Sequence, residues 1–190
     1  MEPTKLPIIG YACASHLGES LSNAPTQTDA PGRFGPPMLQ LESTALQLPY
    51  YSIDDRFDEL DRTERILFEV IEKALLRSQL SPAEIKRTGL FIGSSSYDLR
   101  DSEIDYKQKL VAGDPAAVPM PFTGYNRLGD SICRKFDIDS EPFNINSACT
   151  SSANALLLAH SMIRQGHYEH ALVVGIELYN ETTINGFAGL

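Results

Sequence analysis

The sequence predicts an α/β fold, because segments with the patterns of strands and of helices alternate along the chain. The clearest helix spans 61–80, where apolar residues between Ile66 and Leu75 recur at the helical period and charged residues fill the other face. The clearest strands are the nearly continuous apolar segments at 88–92 and 171–178. These three segments carry the assignment, and the remaining elements follow in chain order.

The first half of the chain is predicted to contain two strands and two helices. Apolar residues run almost unbroken over 8–14, which predicts a strand with both faces covered. The segment 23–49 is rich in Pro, Gly, Thr and Gln, so we expect it to be irregular. After the long helix, the pattern Ser81-Pro82-Ala83-Glu84 is typical of a capping box that starts a second, short helix. The strand at 88–92 then ends in a turn of small residues.

The second half of the chain is predicted to contain three helices, at 102–110, 125–136 and 151–165, and two strands, at 143–147 and 171–178. In the middle helix, Leu128, Ile132 and Phe136 are spaced by four residues and share one face. Gly166 suits the C-cap of the last helix. The segment 112–121 is punctuated by Gly and Pro and is expected to be a loop.

Composition excludes several classes of function. The net charge is −9, and no long basic segment is present, which argues against binding to nucleic acid or anchoring by a polybasic patch. The longest apolar segments are too short to span a membrane, and the N-terminus does not resemble a signal peptide. The three cysteines are widely spaced, without a metal-binding or disulfide pattern. We therefore expect a cytoplasmic protein with no metal site.

Cys149 is the best candidate for a reactive residue. It lies in the segment Asn-Ser-Ala-Cys-Thr-Ser-Ser-Ala-Asn-Ala-Leu at 146–156, between the end of a predicted strand and the start of a predicted helix. Small neighbours permit a sharp turn and the close approach of a substrate. The N-terminus of the helix would favour a thiolate, and its N–H groups would stabilise an oxyanion. The spacing alone leaves open a structural cysteine that only packs as a small apolar side chain.

The segment around Cys149 resembles the active-site segment of β-ketoacyl-acyl-carrier-protein synthases, where an Ala-Cys-Ser-Ser-Ser-type sequence is characteristic. Four further segments resemble that family in order and spacing: 8–18 at the opening strand, Tyr125-Asn126-Arg127-Leu128, 171–177, and 184–190 with its Gly-Phe pair. The resemblance implies a thiolase-like fold built from two similar α/β halves. Residues 1–190 would form the N-terminal half, a mixed sheet layered with helices.

The resemblance implies a condensing acyltransferase of fatty acid or polyketide-type biosynthesis. Cys149 would accept an acyl group from a carrier-protein thioester, and its backbone N–H would form part of the oxyanion hole. A malonyl-carrier thioester would then decarboxylate, and the carbanion would attack the acyl-cysteine. Phe187 would border the acyl pocket, although composition alone makes it a core aromatic residue.

The resemblance also implies partners. An acyl carrier protein would deliver the substrate on its own phosphopantetheine arm, so no cofactor is expected to be bound to the chain itself. The strand at 143–147 would pair across the two-fold axis of a homodimer. Arg127, Arg134 and Lys135 could attract an acidic carrier, but a solvated helix face explains these charges equally well.

The second, histidine-bearing half of that family has no counterpart in this sequence. The four histidines, His16, His160, His167 and His170, match none of the family's histidine motifs. We therefore expect this chain to accept an acyl group slowly but not to condense, because the family's histidines stabilise the developing enolate. We also expect the helix at 151–165 to lose part of its cover, which favours self-association or pairing with a complementary half.

Two alternative functions stay open. The first is a non-catalytic partner subunit, resembling a chain-length factor, which the missing histidines favour and Cys149 disfavours. The second is a different cysteine acyltransferase or thioesterase, which needs a histidine within hydrogen-bond reach of Cys149. We interpret the turn at 93–96 as an ordinary end of a strand that could border the site, because it lacks the glycine and lysine patterns of serine nucleophiles and phosphate loops.

Overall fold

The computed structural model of the protein describes residues 5–15, 38–40, 47–49, 61–97, 99–115 and 126–189. Its helices are α1 at Asp61–Ser78, α2 at Pro82–Lys86, α3 at Leu99–Val111, α4 at Arg127–Phe136, α5 at Ser151–Arg164 and α6 at Glu181–Ala188. Its strands are β1 at Met38–Gln40, β2 at Gln47–Pro49, β3 at Gly89–Gly93, β4 at Phe143–Ile145 and β5 at Ala171–Gly175. A 3₁₀ turn at Ala148–Thr150 leads into α5.

Three strands form a parallel sheet in the order β4-β3-β5. Gly93, the last residue of β3, pairs with Ile145 of β4 and with Gly175 of β5. The carboxyl ends of all three strands therefore meet at one edge of the sheet. Helices separate these strands in the chain, which confirms the predicted α/β class.

The two faces of β3 are covered by different helices. Leu90 and Ile92 point to one face and belong to a core that includes Ile71 of α1 and Ile132 of α4. Phe91 points to the other face, where it packs with Ala155 and Ala159 of α5. This alternation follows from the two-residue period of a strand. Burial of β3 on both faces explains why its sequence is a continuous apolar segment.

Most predicted elements are confirmed, and the local geometry explains where they end. Helix α1 ends two residues before the predicted limit, where Gln79 takes a left-handed φ of 58°. The capping box of Ser81 and Glu84 is formed as predicted. Gly166 has a φ of 77° just beyond α5, the conformation for which glycine is favoured. Strand β5 stops at Gly175 rather than residue 178, because its partner β3 ends there.

The predicted strand at 8–14 is wrong. This segment pairs with no described strand and lies instead beside α1, where the Arg77 guanidinium donates a hydrogen bond of 2.7 Å to the Tyr11 carbonyl. The segment predicted to be irregular at 23–49 contains two short strands, β1 and β2, which pair antiparallel. The rest of that segment, the loop residues 116–121 and His16 lie outside the described residues.

Helix α6 was not predicted, because the residues that hold its N-terminus are not all adjacent in sequence. The Asn180 side chain accepts a hydrogen bond from the Thr183 N–H at 2.8 Å, which is a normal N-cap. The Glu103 carboxylate of α3 also accepts the N–H groups of Glu181 and Thr182, at 2.9 and 2.8 Å. Across the described ranges, none of the helices has the length and apolar character that crossing a membrane requires.

Candidate functional site

Three turns meet where the parallel strands end. The turn after β3 carries Ser94, Ser95 and Ser96, the turn after β4 carries Cys149, and the segment after β5 carries Glu177. In open parallel sheets, ligands bind at this carboxyl edge, because the connecting loops converge there. The topology therefore brings the sequence-predicted reactive cysteine to the edge where a site is expected.

Cys149 is the middle residue of the 3₁₀ turn between β4 and α5, and its side chain is exposed. The preceding residue, Ala148, has a left-handed φ of 53°, which is rare for a residue with a β-carbon. Such strained residues concentrate at functional sites, where surrounding contacts hold them. The segment Asn146–Thr150, called here the Cys149 turn, therefore presents the thiol outward in the manner of a nucleophile elbow.

Hydroxyl side chains hold the Cys149 turn against α5. Ser151 accepts a hydrogen bond from the Ser147 N–H at 2.9 Å and donates its own hydroxyl to the Ala148 carbonyl at 2.7 Å. Thr150 donates to the Ser147 carbonyl at 2.8 Å, and Asn154 donates to the Ser147 hydroxyl at 2.7 Å. The small polar residues that flank Cys149 in the sequence therefore build the turn.

Glycine at the end of β3 allows α5 to begin directly against the sheet. A β-carbon on Gly93 would lie 2.5 Å from the Ser151 carbonyl oxygen and 2.6 Å from the Ser152 α-carbon. The Ser152 hydroxyl also donates to the Gly93 carbonyl at 3.3 Å. This close approach fixes the first turn of α5, and with it the position of Cys149.

The N-terminus of α5 provides the electrostatics of the site. Thr150, the residue before the helix, makes no side-chain hydrogen bond to the N–H groups of the first turn. Those N–H groups and the positive end of the helix dipole lie beside Cys149. An arrangement of this kind can stabilise a negative charge on sulfur or on an attacked carbonyl oxygen.

A polar cleft of about 460 Å³ adjoins the Cys149 turn through Asn146. Its other lining residues are Tyr97, Asn126, Pro142 and Asn144. Asn144 donates to Asn126 at 2.7 Å, whereas its own Oδ1 atom is buried and makes no hydrogen bond within the described part of the chain. Sequence reasoning did not find this amide cluster, because its members are separated in the chain and meet only across β4.

Glu177 links two of the three turns. Ser95 donates its hydroxyl to both carboxylate oxygens of Glu177 at 2.8 Å, and Ser96 donates to one of them at 2.8 Å. Asn146 donates to the Ser95 carbonyl at 3.1 Å, which connects this pair to the Cys149 turn. The serine-rich turn after β3 could have suggested such a role, but the carboxylate partner lies 82 residues away.

The described histidines lie away from Cys149. His160 is eleven residues further along α5, about 16 Å by the helical rise. His167 and His170 lie beyond the end of that helix, and His170 is 3.8 Å from Glu84. This placement disfavours a cysteine–histidine pair among the described residues. Nor does any cluster of potential metal ligands occur among them.

The remaining candidate residues are distributed over the surface. Phe187 lies on α6, is 68% exposed and is not among the residues that line the polar cleft. Its role at an acyl pocket stays a prediction. Arg127 pairs with Asp101, and Lys135 lies 6.0 Å above the Phe68 ring. Cys133 is partly buried, and this burial raises the pKa of its thiol.

Comparisons with known proteins identify the family of the chain. Residues 29–189 match the family model described as beta-ketoacyl synthase, N-terminal domain. The chain is 35% identical over 126 residues to the highly reducing polyketide synthase dmxL2 of Cryptosporiopsis sp. (strain 8999), a match that covers 64% of this chain and 5% of that protein. It is 34% identical over 120 residues to the spectinabilin polyketide synthase system protein NorC of Streptomyces orinoci, covering 61% and 5%.

Among solved structures, the oxazolomycin ketosynthase domain OzmH KS7 of Streptomyces albus JA3453 is similar, with a TM-score of 0.46 and 28% sequence identity. This match covers 61% of this chain and 19% of that chain. The chain thus spans only a small part of the curated relatives that it matches. The family model covers most of the chain, including β3, the Cys149 turn, α5 and β5. The chain therefore belongs to the β-ketoacyl synthase family, in which it corresponds to the N-terminal domain of the thiolase-like fold.

Proposed function

We propose that the chain is part of a condensing enzyme of polyketide type and that Cys149 accepts the acyl chain. The observation that carries this proposal is the exposed cysteine on a strained turn at the N-terminus of α5. Membership of the β-ketoacyl synthase family and the polyketide synthases among its relatives support it.

The proposed acyl transfer takes place at the Cys149 turn. The Cys149 Sγ atom attacks the carbonyl carbon of the incoming thioester and forms a new C–S bond. The backbone N–H of Cys149 and the first-turn N–H groups of α5 stabilise the oxyanion of the tetrahedral intermediate. The old C–S bond then breaks, and the donor leaves as a thiolate that takes up a proton, which balances the proton that Cys149 released when it formed the attacking thiolate.

A carrier protein with a phosphopantetheine thiol is the proposed donor. The thiol arm is long and bears amide groups, so it needs an open approach and hydrogen-bond partners near the reactive sulfur. The exposed Cys149 and the adjacent cleft lined by Asn126, Asn144 and Asn146 supply both features. The carrier is a substrate in this scheme, and its arm is not a resident cofactor.

The condensation step needs groups that the described residues do not place beside Cys149. Decarboxylation of a malonyl thioester develops negative charge on an enolate oxygen, which hydrogen-bond donors must stabilise. The described histidines are remote, with His160 about 16 Å along α5. We therefore infer that this chain by itself performs the acyl-transfer half of the reaction only.

Conversion of the acyl donor tests this proposal. The chain is mixed with an acyl-carrier-protein thioester, and the mass of the carrier protein is followed over time. We expect up to one equivalent of the carrier to lose its acyl group with the unmodified chain, and none with Cys149→Ala. Cys133→Ala is the matched control and should behave as the unmodified chain does, because Cys133 faces the core.

Equal loss of the acyl group with and without Cys149 would refute the assignment of the acyl acceptor. No loss in either protein would instead favour the alternative of a non-catalytic partner subunit. That alternative predicts that the chain changes the product of another ketosynthase without itself carrying an acyl group.

A further inference from the structure

Glu177 lies where the turn after β3 meets the segment after β5. Its carboxylate is exposed, yet it accepts the hydroxyl hydrogens of both Ser95 and Ser96, with Ser95 shared between the two carboxylate oxygens and all O···O distances 2.8 Å. Charge-assisted bonds of this kind are stronger than those between neutral groups. The carboxylate therefore fixes the turn after β3 relative to the segment after β5.

The same contacts continue to the reactive turn. The Ser95 carbonyl accepts a hydrogen bond from the Asn146 side chain at 3.1 Å. The other end of that amide, Oδ1, accepts the Ala148 N–H at 3.4 Å. A continuous path of polar contacts thus leads from Glu177 through Ser95 and Asn146 to Ala148, the residue next to Cys149.

Ala148 needs such support because of its conformation. A left-handed φ of 53° costs an alanine about 1–2 kcal/mol, so the turn relaxes unless neighbouring contacts hold it. Ser151 secures one side of the turn through the Ser147 N–H and the Ala148 carbonyl. Asn146 secures the other side, and its position depends on the Ser95 carbonyl.

We propose that Glu177 is a positioning residue for Cys149, acting through Ser95 and Asn146 to hold the strained turn that presents the thiol. The inference rests on the proposed role of Cys149 and extends it by naming the group that keeps the sulfur beside the N-terminus of α5. Glu177 itself does not touch the substrate in this scheme. Its effect is geometric, so another hydrogen-bond acceptor of the same shape should replace it.

Alkylation of Cys149 tests the proposal without any acyl substrate. Rates are measured with neutral iodoacetamide and with anionic iodoacetate for the unmodified chain, Glu177→Ala, Glu177→Gln and Glu169→Ala. Trypsin releases residues 136–164 as one peptide, in which Cys149 is the single cysteine, so its labelling is read directly. Glu169 is the matched control, an exposed carboxylate before β5, at the opposite end of the sheet.

We expect Glu177→Ala to slow both reagents at Cys149 by about two- to fivefold, the range by which a helix terminus typically stabilises an adjacent charge. Glu177→Gln should recover most of the rate, because its amide oxygen can accept the same serine hydroxyls. Glu169→Ala should react as the unmodified chain does. Labelling of Cys133, in the peptide 128–134, should stay constant in all variants.

Three outcomes would overturn the proposal. Glu177→Ala could react at the unmodified rate, which would remove any role for the carboxylate. Both Glu177 variants could react faster than the unmodified chain with iodoacetate and at the same rate with iodoacetamide. Glu177 would then act only by repelling the anionic reagent. Faster Cys133 labelling in Glu177→Ala would indicate a general loosening of the fold. Failure of acyl transfer by the unmodified chain would refute the proposed function. The alkylation rates of the variants would still test the role of Glu177, because they need no acyl substrate.

Discussion

Substitution of Gly93 by alanine should displace the reactive turn more than any other single added methyl group at this edge. The new β-carbon would lie 2.5 Å from the Ser151 carbonyl oxygen, whereas ordinary contact begins at 3.4 Å. The first turn of α5 must therefore move by about 0.9 Å, and backbone atoms cannot rotate out of the way as a side chain can. Overpacking of this kind costs about 1–3 kcal/mol of stability.

Two other glycines provide matched controls for the same chemical change. A β-carbon on Gly175 would meet the Ser152 hydroxyl at 2.7 Å, and that side chain can turn away, so we expect a smaller loss. A β-carbon on Gly186, within α6, meets nothing within 4 Å. Gly186→Ala should therefore stabilise the protein by about 0.5–1 kcal/mol, because alanine is the better helix former.

Urea unfolding followed by circular dichroism, together with the alkylation rate of Cys149, measures both consequences. The predicted order of stability is Gly186→Ala, then Gly175→Ala, then Gly93→Ala. Gly93→Ala should also slow the alkylation of Cys149, because α5 carries the turn with it. A Gly93→Ala protein as stable as Gly186→Ala would show that the contact between β3 and α5 is not as close as described.

Three further predictions concern the core, a helix cap and a second cysteine. Ile132→Ala should lower the free energy of unfolding by about 2–5 kcal/mol in urea titrations, because Ile132 is fully buried in the core against β3. The Ser81 hydroxyl and N–H hold the pKa of Glu84 below its ordinary value of 4.5. This stabilisation is present above pH 4.5 and is lost as the pH falls through the lower, native pKa, so Ser81→Ala should flatten the acid limb of a stability–pH curve. Burial raises the pKa of the Cys133 thiol, so peptide mapping should find it alkylated several-fold more slowly than Cys149 at pH 7.5.

The elements that could be predicted from the sequence are those that are stabilised by local contacts or are buried on both faces. Helix α1 has a regular apolar face, α2 has its capping box, and β3 is a continuous apolar strand covered on both sides. Each of these sequence patterns is compatible with only one stable secondary structure. The sequence around Cys149 likewise predicts the turn, because small residues lie between a strand and a helix.

The elements that the sequence did not reveal depend on distant partners. The segment 8–14 is apolar enough for a strand, but it lies against α1 and pairs with no described strand. Helix α6 begins where Glu103, on another helix, accepts its first N–H groups. Glu177 meets Ser95 only because β3 and β5 are neighbours in the sheet. Contacts of this kind follow from topology, which local patterns do not encode.

The exposed face of α5 illustrates both cases. Leu156 and Leu157 are 51% and 65% exposed, as expected for a helix without full cover, whereas Ala159 is buried against Phe91. The helical period explains why these positions differ, since Ala155 and Ala159 share the face toward the sheet. An apolar face of this kind favours association, so we expect size-exclusion chromatography to show species larger than the monomer.

The position and chemical nature of the bound acyl group test the central claim most directly. The chain is incubated with an acyl thioester, digested with trypsin and mapped by mass spectrometry, before and after treatment with neutral hydroxylamine. We expect one acyl group on the peptide 136–164, at Cys149, which hydroxylamine removes because it is a thioester. An acyl group on another residue, or one on this peptide that resists hydroxylamine, would contradict it.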